Sequence, residues 1–372
     1  MTAGRPSREQ SGPRGGLISF ACLCCAFVLA VFVVAISGRV SALEPKHQGQ
    51  EDALSRAVFS EGKLWLLSDA GELFTITEGK DTPVEESLPE PVLDLCLQDK
   101  HTLVITCQRE GCRNWTLRRW AAGKWSTEDS VQAQGDDLLG MSCVDEQVTL
   151  LTTRRLIEPG NNKQTSVVLS DELSPKRYVS MLDTPDRVFV GVNEGEWGGG
   201  LWRIDRNTGK VAKIASNTTG QLCGGPLNSD CDPVNAIAFE PWKPGCIVAA
   251  IGLVHFMPRG RIVEVCGDDV RRLYYKPYEK QEFGAPKEKG DEPFVTVAFF
   301  GLTREGDALW ATGSDGIYRI DANGAAMLAP LPNFKKVGGI DVSFDLPQVV
   351  LVLTSINARH SVSGRVPIIV PR

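Results

Sequence analysis

The sequence predicts an all-β fold, a β-propeller of seven blades with about four antiparallel strands each, and three observations predict it. A hairpin phrase, Leu309-Trp310-Ala311-Thr312-Gly313-Ser314-Asp315-Gly316-Ile317-Tyr318-Arg319-Ile320-Asp321, has its second half repeated at Gly200–Asp205 and most of its length repeated at Leu64–Phe74. From Leu54 onward the chain is nearly all short alternating or apolar runs separated by Gly, Pro, Asn and Asp, which is the signature of strands and turns. These runs group into units whose spacing clusters near the ~40–50 residues of a propeller blade.

Residues 1–42 stand outside that pattern. Arg5, Arg8 and Arg14 precede an uncharged run, Leu17–Ile36, and Val40-Ser41-Ala42 offers small residues suited to cleavage. This is the layout of a secretory signal peptide, and the run is also long enough to span a bilayer as a retained signal anchor. Both remain open. In either case the rest of the chain is expected to be exported, either secreted or held at the membrane by residues 17–36. Cys22, Cys24 and Cys25 read as fillers of the apolar run, since no convincing lipobox surrounds them.

Residues 54–372 are the propeller domain, and residues 43–53 are a linker or a ring-closing segment. The expected innermost strands are Ser55–Ser60, Val92–Leu97, Leu139–Val144, Tyr178–Leu182, Val234–Phe239, Val295–Phe300 and Gly339–Phe344. Each is followed by a second strand, at Leu64–Leu67, Leu103–Thr106, Val148–Thr152, Val188–Val192, Ile247–Ile251, Ala308–Thr312 and Val349–Thr354. The last unit is short, with one further strand at Val366–Val370, so Leu43–Asp52 is the candidate strand donor that would close the ring. A single four-stranded sheet cannot bury both faces, whereas blades packed radially cover one another. Trp65, Phe74, Trp202, Trp310, Tyr318 and Phe344 are therefore expected in the core between blades.

The charge balance narrows the partners. The chain has 40 basic and 46 acidic residues; residues 1–42 hold four of the former and one of the latter, which leaves a formal charge of −9 on the rest. No basic stripe with interleaved aromatics is present, which argues against nucleic acid. Membrane contact is expected through the N-terminal segment alone.

The hairpin Leu309–Asp321 resembles the repeat of two-component-regulator propellers, extracytoplasmic domains found in sensors and related proteins. The matching positions are Leu309-Trp310, Thr312, Asp315-Gly316 and Tyr318-Arg319, with a looser match at Leu64–Phe74 and a partial one at Gly200–Asp205. Leu67 replaces the threonine of the pattern, and Asn193–Gly200 stretches the loop. The resemblance implies a propeller fold and an extracytoplasmic location. It does not extend to signalling, since no transmitter or output segment is read in these residues. The chain contains no Trp-Asp dipeptide, so a WD40 propeller has little support.

In such a fold the connections from second to third strand, and from each blade to the next, leave by one face. Here these include Cys107–Asn114, Arg155–Lys163, Asn193–Gly200, Gly252–Gly260, Ile356–Gly364, Ser216–Pro233 and Pro277–Pro293, whereas the opposite face has mostly tight turns. Long loops in a compact fold are usually functional or disordered. The long-loop face is thus the expected binding face.

Eight cysteines follow the N-terminal segment, an even number that suits disulfides in an exported chain. Cys107 with Cys112, Cys223 with Cys231, Cys246 with Cys266, and Cys96 with Cys143 are the candidate pairs. Asn114 and Asn217 head sequons and are candidate glycan sites.

The chain has no nucleophile elbow, Walker loop, dinucleotide fingerprint or HExxH motif. The polar candidates on the expected face are Glu194, Glu196, Trp197, His255, Arg259, Asp315, Asn357 and His360. The leading expectation is a non-catalytic propeller that binds a protein, peptide or glycan there and needs no cofactor. Trp197, flanked by glycines, is the natural contact. The alternative is a metal-dependent hydrolase of lactonase or esterase type, with calcium or another divalent ion held by Glu194, His255 and Asp315 at the channel mouth. Convergence of those three side chains is what separates the two readings.

Overall fold

The computed structural model describes residues 53–372 apart from 109–111, 161–162, 174–178, 218–222, 256, 278–294, 334–338 and 356–359. The export segment 1–42 and the candidate donor Leu43–Asp52 lie outside the described residues. Among the described residues no helix is long and apolar enough to cross a membrane.

Seven antiparallel sheets follow one another along the chain. Blade one is β1 (Leu54–Ser60), β2 (Lys63–Ser68), β3 (Leu73–Thr77) and β4 (Val84–Glu85). Blade two is β5 (Val92–Gln98), β6 (His101–Cys107), β7 (Asn114–Ala121) and β8 (Lys124–Gln132). Blade three is β9 (Leu138–Val144), β10 (Gln147–Thr152), β11 (Arg155–Glu158) and β12 (Thr165–Val168). Blade four is β13 (Val179–Asp183), β14 (Arg187–Asn193), β15 (Gly199–Asp205) and β16 (Val211–Ile214). Blade five is β17 (Val234–Phe239), β18 (Ile247–His255), β19 (Met257–Cys266) and β20 (Asp269–Tyr274). Blade six is β21 (Phe299–Glu305), β22 (Ala308–Gly313), β23 (Gly316–Asp321) and β24 (Gly324–Pro330). Blade seven is β25 (Ile340–Ser343), β26 (Val349–Ser355), β27 (His360–Arg365) and β28 (Ile368–Pro371).

Each first strand contacts the first strand of the next blade, and β25 returns to β1, so the ring is closed. Blade seven differs in layout: β27 pairs with the end of β26 and β28 with its beginning, so both lie along the same edge. It meets blade one through Leu351 and Leu353 packed against Leu54, Leu64, Leu66 and Phe74, and the Ser343 hydroxyl donates to the Ala57 carbonyl at 3.3 Å.

The core is a set of such inter-blade layers. Trp65 of blade one packs edge-on against Trp120 and Trp125 of blade two at 5.1 and 5.2 Å, with the Lys63 ammonium 4.4 Å from the Trp120 ring centroid. Trp65, Phe74 and Tyr318 are fully buried, while Trp202, Trp310 and Phe344 are half-buried, the last two beneath the Arg372 guanidinium. All four expected cysteine pairs are disulfides. Cys96–Cys143 joins the first strands of blades two and three across 47 residues of chain, a closure worth about 4 kcal/mol of unfolded-state entropy.

Four expected boundaries move. Most of the expected loop Ile356–Gly364 is strand β27, so blade seven has two strands after β26 where one was expected, and the strand expected at Val366–Val370 is β28, Ile368–Pro371. The sixth innermost strand starts at Phe299 rather than Val295, because residues 295–298 bond to Pro258, Lys276 and Ser314 at the blade junction before the ladder with β22 begins. Arg155–Lys163 is not a second-to-third loop. Residues 155–158 are β11, with Arg155 buried against Asp136 at 2.7 Å, and the loop 159–164 leaves by the opposite face. Gly252–Gly260 is a longer hairpin, paired through His255 opposite Met257. Its two glycines face each other because a Cβ on either would lie 2.4 Å from backbone, that of Phe299 for Gly252 and that of Ile251 for Gly260.

Connections in an antiparallel meander alternate between the two ends of the sheet. The described parts of the blade-to-blade connections, 169–173, 215–217 with 223–233, and 275–277 with 295–298, therefore share an end with the turn 194–198, whereas 61–62, 99–100, 145–146 and 306–307 are tight turns at the other.

Candidate functional site

The connection between β14 and β15 is a single 3-10 turn, Gly195–Trp197. Its shape follows from local chemistry. The Asn193 carbonyl oxygen of the side chain accepts from the Gly195 amide at 2.7 Å, and the Glu194 amide donates to the Gly198 carbonyl at 2.9 Å. Gly195 and Gly198 hold φ of +66° and +83°, the left-handed region in which a side chain is strained. A Cβ at Gly198 would also lie 2.5 Å from Ser229 O. Trp197 rides on this turn with 73% of its surface exposed.

The turn is tied to the ring from below. Buried Asn193 donates to Asn235 Oδ1 at 2.6 Å, and Asn235 Nδ2 donates to the Gly252 and Phe299 carbonyls at 2.9 and 2.8 Å. That chain crosses blades four, five and six.

It is also tied from the side. The Gly199 and Gly200 amides donate to the Ser229 and Asp232 carbonyls, each at 3.0 Å. Asp232 is fully buried and ion-paired with buried Arg261, which in turn donates to the Pro226 carbonyl at 2.8 Å. Burial pushes the Asp232 carboxyl up from its ordinary range, opposed by the Arg261 charge. Cys223–Cys231 staples the same loop, and Arg259 Nη2 donates to the Cys223 carbonyl at 2.8 Å. The result is a rigid platform with one exposed indole at its apex.

The other candidate residues divide around this platform. His255, at the end of β18, lies 3.2 Å from Glu196 through Nδ1, so blades four and five contribute an acid–imidazole pair beside Trp197. Glu194 caps the turn through its backbone. Asp315 lies in blade six, where Lys276 Nζ meets it at 2.9 Å and the Tyr318 hydroxyl lies 2.8 Å from both its oxygens. His360 opens β27, and Asn357 lies outside the described residues. Asn114 is the exposed first residue of β7, and Asn217 is exposed after β16.

Glu194, His255 and Asp315 do not form a donor group within 4.8 Å of one another among the described residues. Among the described residues the donors that gather within 4.8 Å are Glu240, Cys246 and Cys266. The two sulfurs are joined to each other and so offer no thiolate.

Sequence reasoning missed a second concavity at the opposite end. A cleft of about 650 Å³ lies between the turns of blades three and four, lined by Val144, Glu146, Glu158, Asp183, Arg206 and Phe239 among others. Its floor is a buried ion pair, Arg206 to Asp183 at 2.9 Å, with Glu158 on the same guanidinium. The strand β11, hidden in the sequence by its arginine, is what carries Glu158 there.

No family model and no curated protein matches the chain. Solved structures do resemble it. The extracellular domain of BT4673 from B. thetaiotaomicron, assigned to a one-component system in one structure and to a hybrid two-component system in another, aligns at 15% and 14% identity with TM-scores of 0.50 and 0.51. The alignments cover 83% and 82% of this chain but 38% and 37% of those, so the chain spans under half their length. YCF48 bound to D1 peptide aligns at 10% identity and TM-score 0.52, over 82% of this chain and 90% of that one. At such identities the likeness speaks to architecture, and what it establishes is the seven-bladed propeller.

Proposed function

We propose that this protein is an exported propeller, delivered by its apolar N-terminal run, that binds a protein or peptide segment on the long-loop face with Trp197 as the anchor. The observation that carries this reading is an indole 73% exposed on a turn held by hydrogen bonds to blade five and to the loop that leads into it. Anchors at interfaces are enriched in Trp and gain from being held in place before the partner arrives. The Glu196–His255 pair and Arg259 give the rim both signs of charge. Four disulfides suit an oxidising, extracytoplasmic compartment. YCF48 bound to D1 peptide supports the reading to the extent that a propeller of this architecture can hold a peptide.

The test is selection of a phage-displayed library of random linear peptides on the full-length protein. Enriched peptides are expected to lose about tenfold or more in affinity for Trp197→Ala and to bind Phe239→Ala, altered at the opposite end, unchanged. Peptides indifferent to Trp197 and sensitive to Phe239 would overturn the assignment. So would an array on which the same indole retains glycans and no peptide.

A further inference from the structure

Blade five carries a buried carboxyl that binding does not use. Glu240 follows β17 directly and is 2% exposed, and among the described residues no donor reaches either of its oxygens. Its polar neighbour is Glu264 on β19, also buried, whose carboxylate is taken up by Arg271 Nη2 at 2.6 Å and Lys243 Nζ at 2.8 Å. A second carboxylate beside that one would be repelled, so Glu240 meets it as the acid. Burial first, then the hydrogen bond to Glu264 and its charge, raise the Glu240 carboxyl to about 7, against the opposing charges of Lys243 and Arg271. Glu264 itself is held down at about 2, first by Arg271.

The other neighbour is sulfur. The Glu240 carboxyl and the Cys246 and Cys266 sulfurs lie within 4.8 Å of one another. Cys246 is buried and Cys266 is partly exposed, so an incoming thiolate has access to the Cys266 side of the bond. We propose that the Cys246–Cys266 disulfide is a site of thiol–disulfide exchange with small thiols, and that Glu240 is the proton donor to the departing Cys246 sulfur.

The step balances as follows. A thiolate attacks Cys266 Sγ, a mixed disulfide forms there, and the Sγ–Sγ bond breaks with its electron pair on Cys246. Glu240 gives its proton to that sulfur and becomes a carboxylate, later reprotonated from water. A second thiolate attacks the external sulfur of the mixed disulfide, releasing oxidised thiol and the Cys266 thiolate, so the small thiol supplies both electrons. The chemistry needs the donor because a buried thiolate with no proton source is a poor leaving group.

The experiment uses full-length protein, dithiothreitol and mass spectrometry of alkylated cysteines, with each rate divided by the thiolate concentration. Between pH 6 and pH 8 the protonated fraction of Glu240 falls about tenfold, and the corrected rate at Cys246–Cys266 is expected to fall with it. Cys223–Cys231, partly exposed in the same molecule, is expected to stay level. Glu240→Gln should hold the rate low and flat, and Glu264→Gln should move the fall to lower pH, because Lys243 and Arg271 then turn to Glu240. A level profile at Cys246–Cys266 in the parent protein, or the same fall surviving in Glu240→Gln, would overturn the proposal. Because Glu264→Gln shifts the fall rather than removing it, the assignment can be tested even where Glu240→Gln folds poorly.

Discussion

Blades four and six contain the same hairpin and end it differently. In blade six, β22 turns into β23 through Ser314 and Asp315 alone, and the turn closes on itself: Ser314 bonds Ala298 in both directions, and the third-strand aromatic, Tyr318, reaches back to Asp315. In blade four the equivalent aromatic is Trp202, whose indole nitrogen also reaches back, to the Gly199 carbonyl at 3.2 Å. The anchoring device is the same, but five residues span the gap, and one of them is Trp197 held out to solvent. The repeat makes the frame, and the interruption of the repeat, fixed by glycines and a neighbouring stapled loop, makes the surface.

That contrast can be broken by substitution. Asp232→Ala should have the largest effect, about 3–5 kcal/mol in urea unfolding, because it leaves the Arg261 guanidinium buried without its charge partner. It should also cost peptide binding, since without the Asp232 carboxylate the loop whose Ser229 and Asp232 carbonyls accept the Gly199 and Gly200 amides loses its tie to Arg261 and to the Asn228 amide. Glu240→Gln, in neither hairpin, serves as the pH control. A carboxyl raised to about 7 stabilises the fold while protonated and loses that contribution as pH rises through 7. The glutamine variant should therefore match the parent at pH 4, below the ordinary carboxyl value, and exceed it at pH 8 by about 1–2 kcal/mol after solvent screening. Tyr318→Phe should cost about 1 kcal/mol, the worth of its hydroxyl bond, with binding intact. Trp197→Ala should change stability by less than about 0.5 kcal/mol while weakening peptide capture about tenfold or more. A stability loss as large as that of Asp232→Ala would place Trp197 in the frame instead.

Much of the frame was legible because apolar runs and turn residues are local. The errors have physical causes. Arg155 read as loop because it is charged, yet it is buried in β11 with its charge met by Asp136. Gly252 and Gly260 read as loop because they are glycines, yet they lie opposite each other in a ladder that the Ala298–Phe299 backbone crowds. Val295 read as strand because it is apolar, although its segment is bonded across a blade junction. In the site, Trp197 was visible from its flanking glycines. The Asn193–Asn235–Phe299 chain was not, because it joins residues from three blades. Nor was the choice of Glu196 over Glu194 as the partner of His255, which the direction of a single 3-10 turn decides.

The most direct test of the account is hydrogen exchange of the full-length protein with and without a selected peptide. Protection confined to the amides of residues 194–200 and 223–232 is predicted. Protection instead at residues 144–147, 163–165 and 183–184, around the cleft at the other end of the ring, would contradict it.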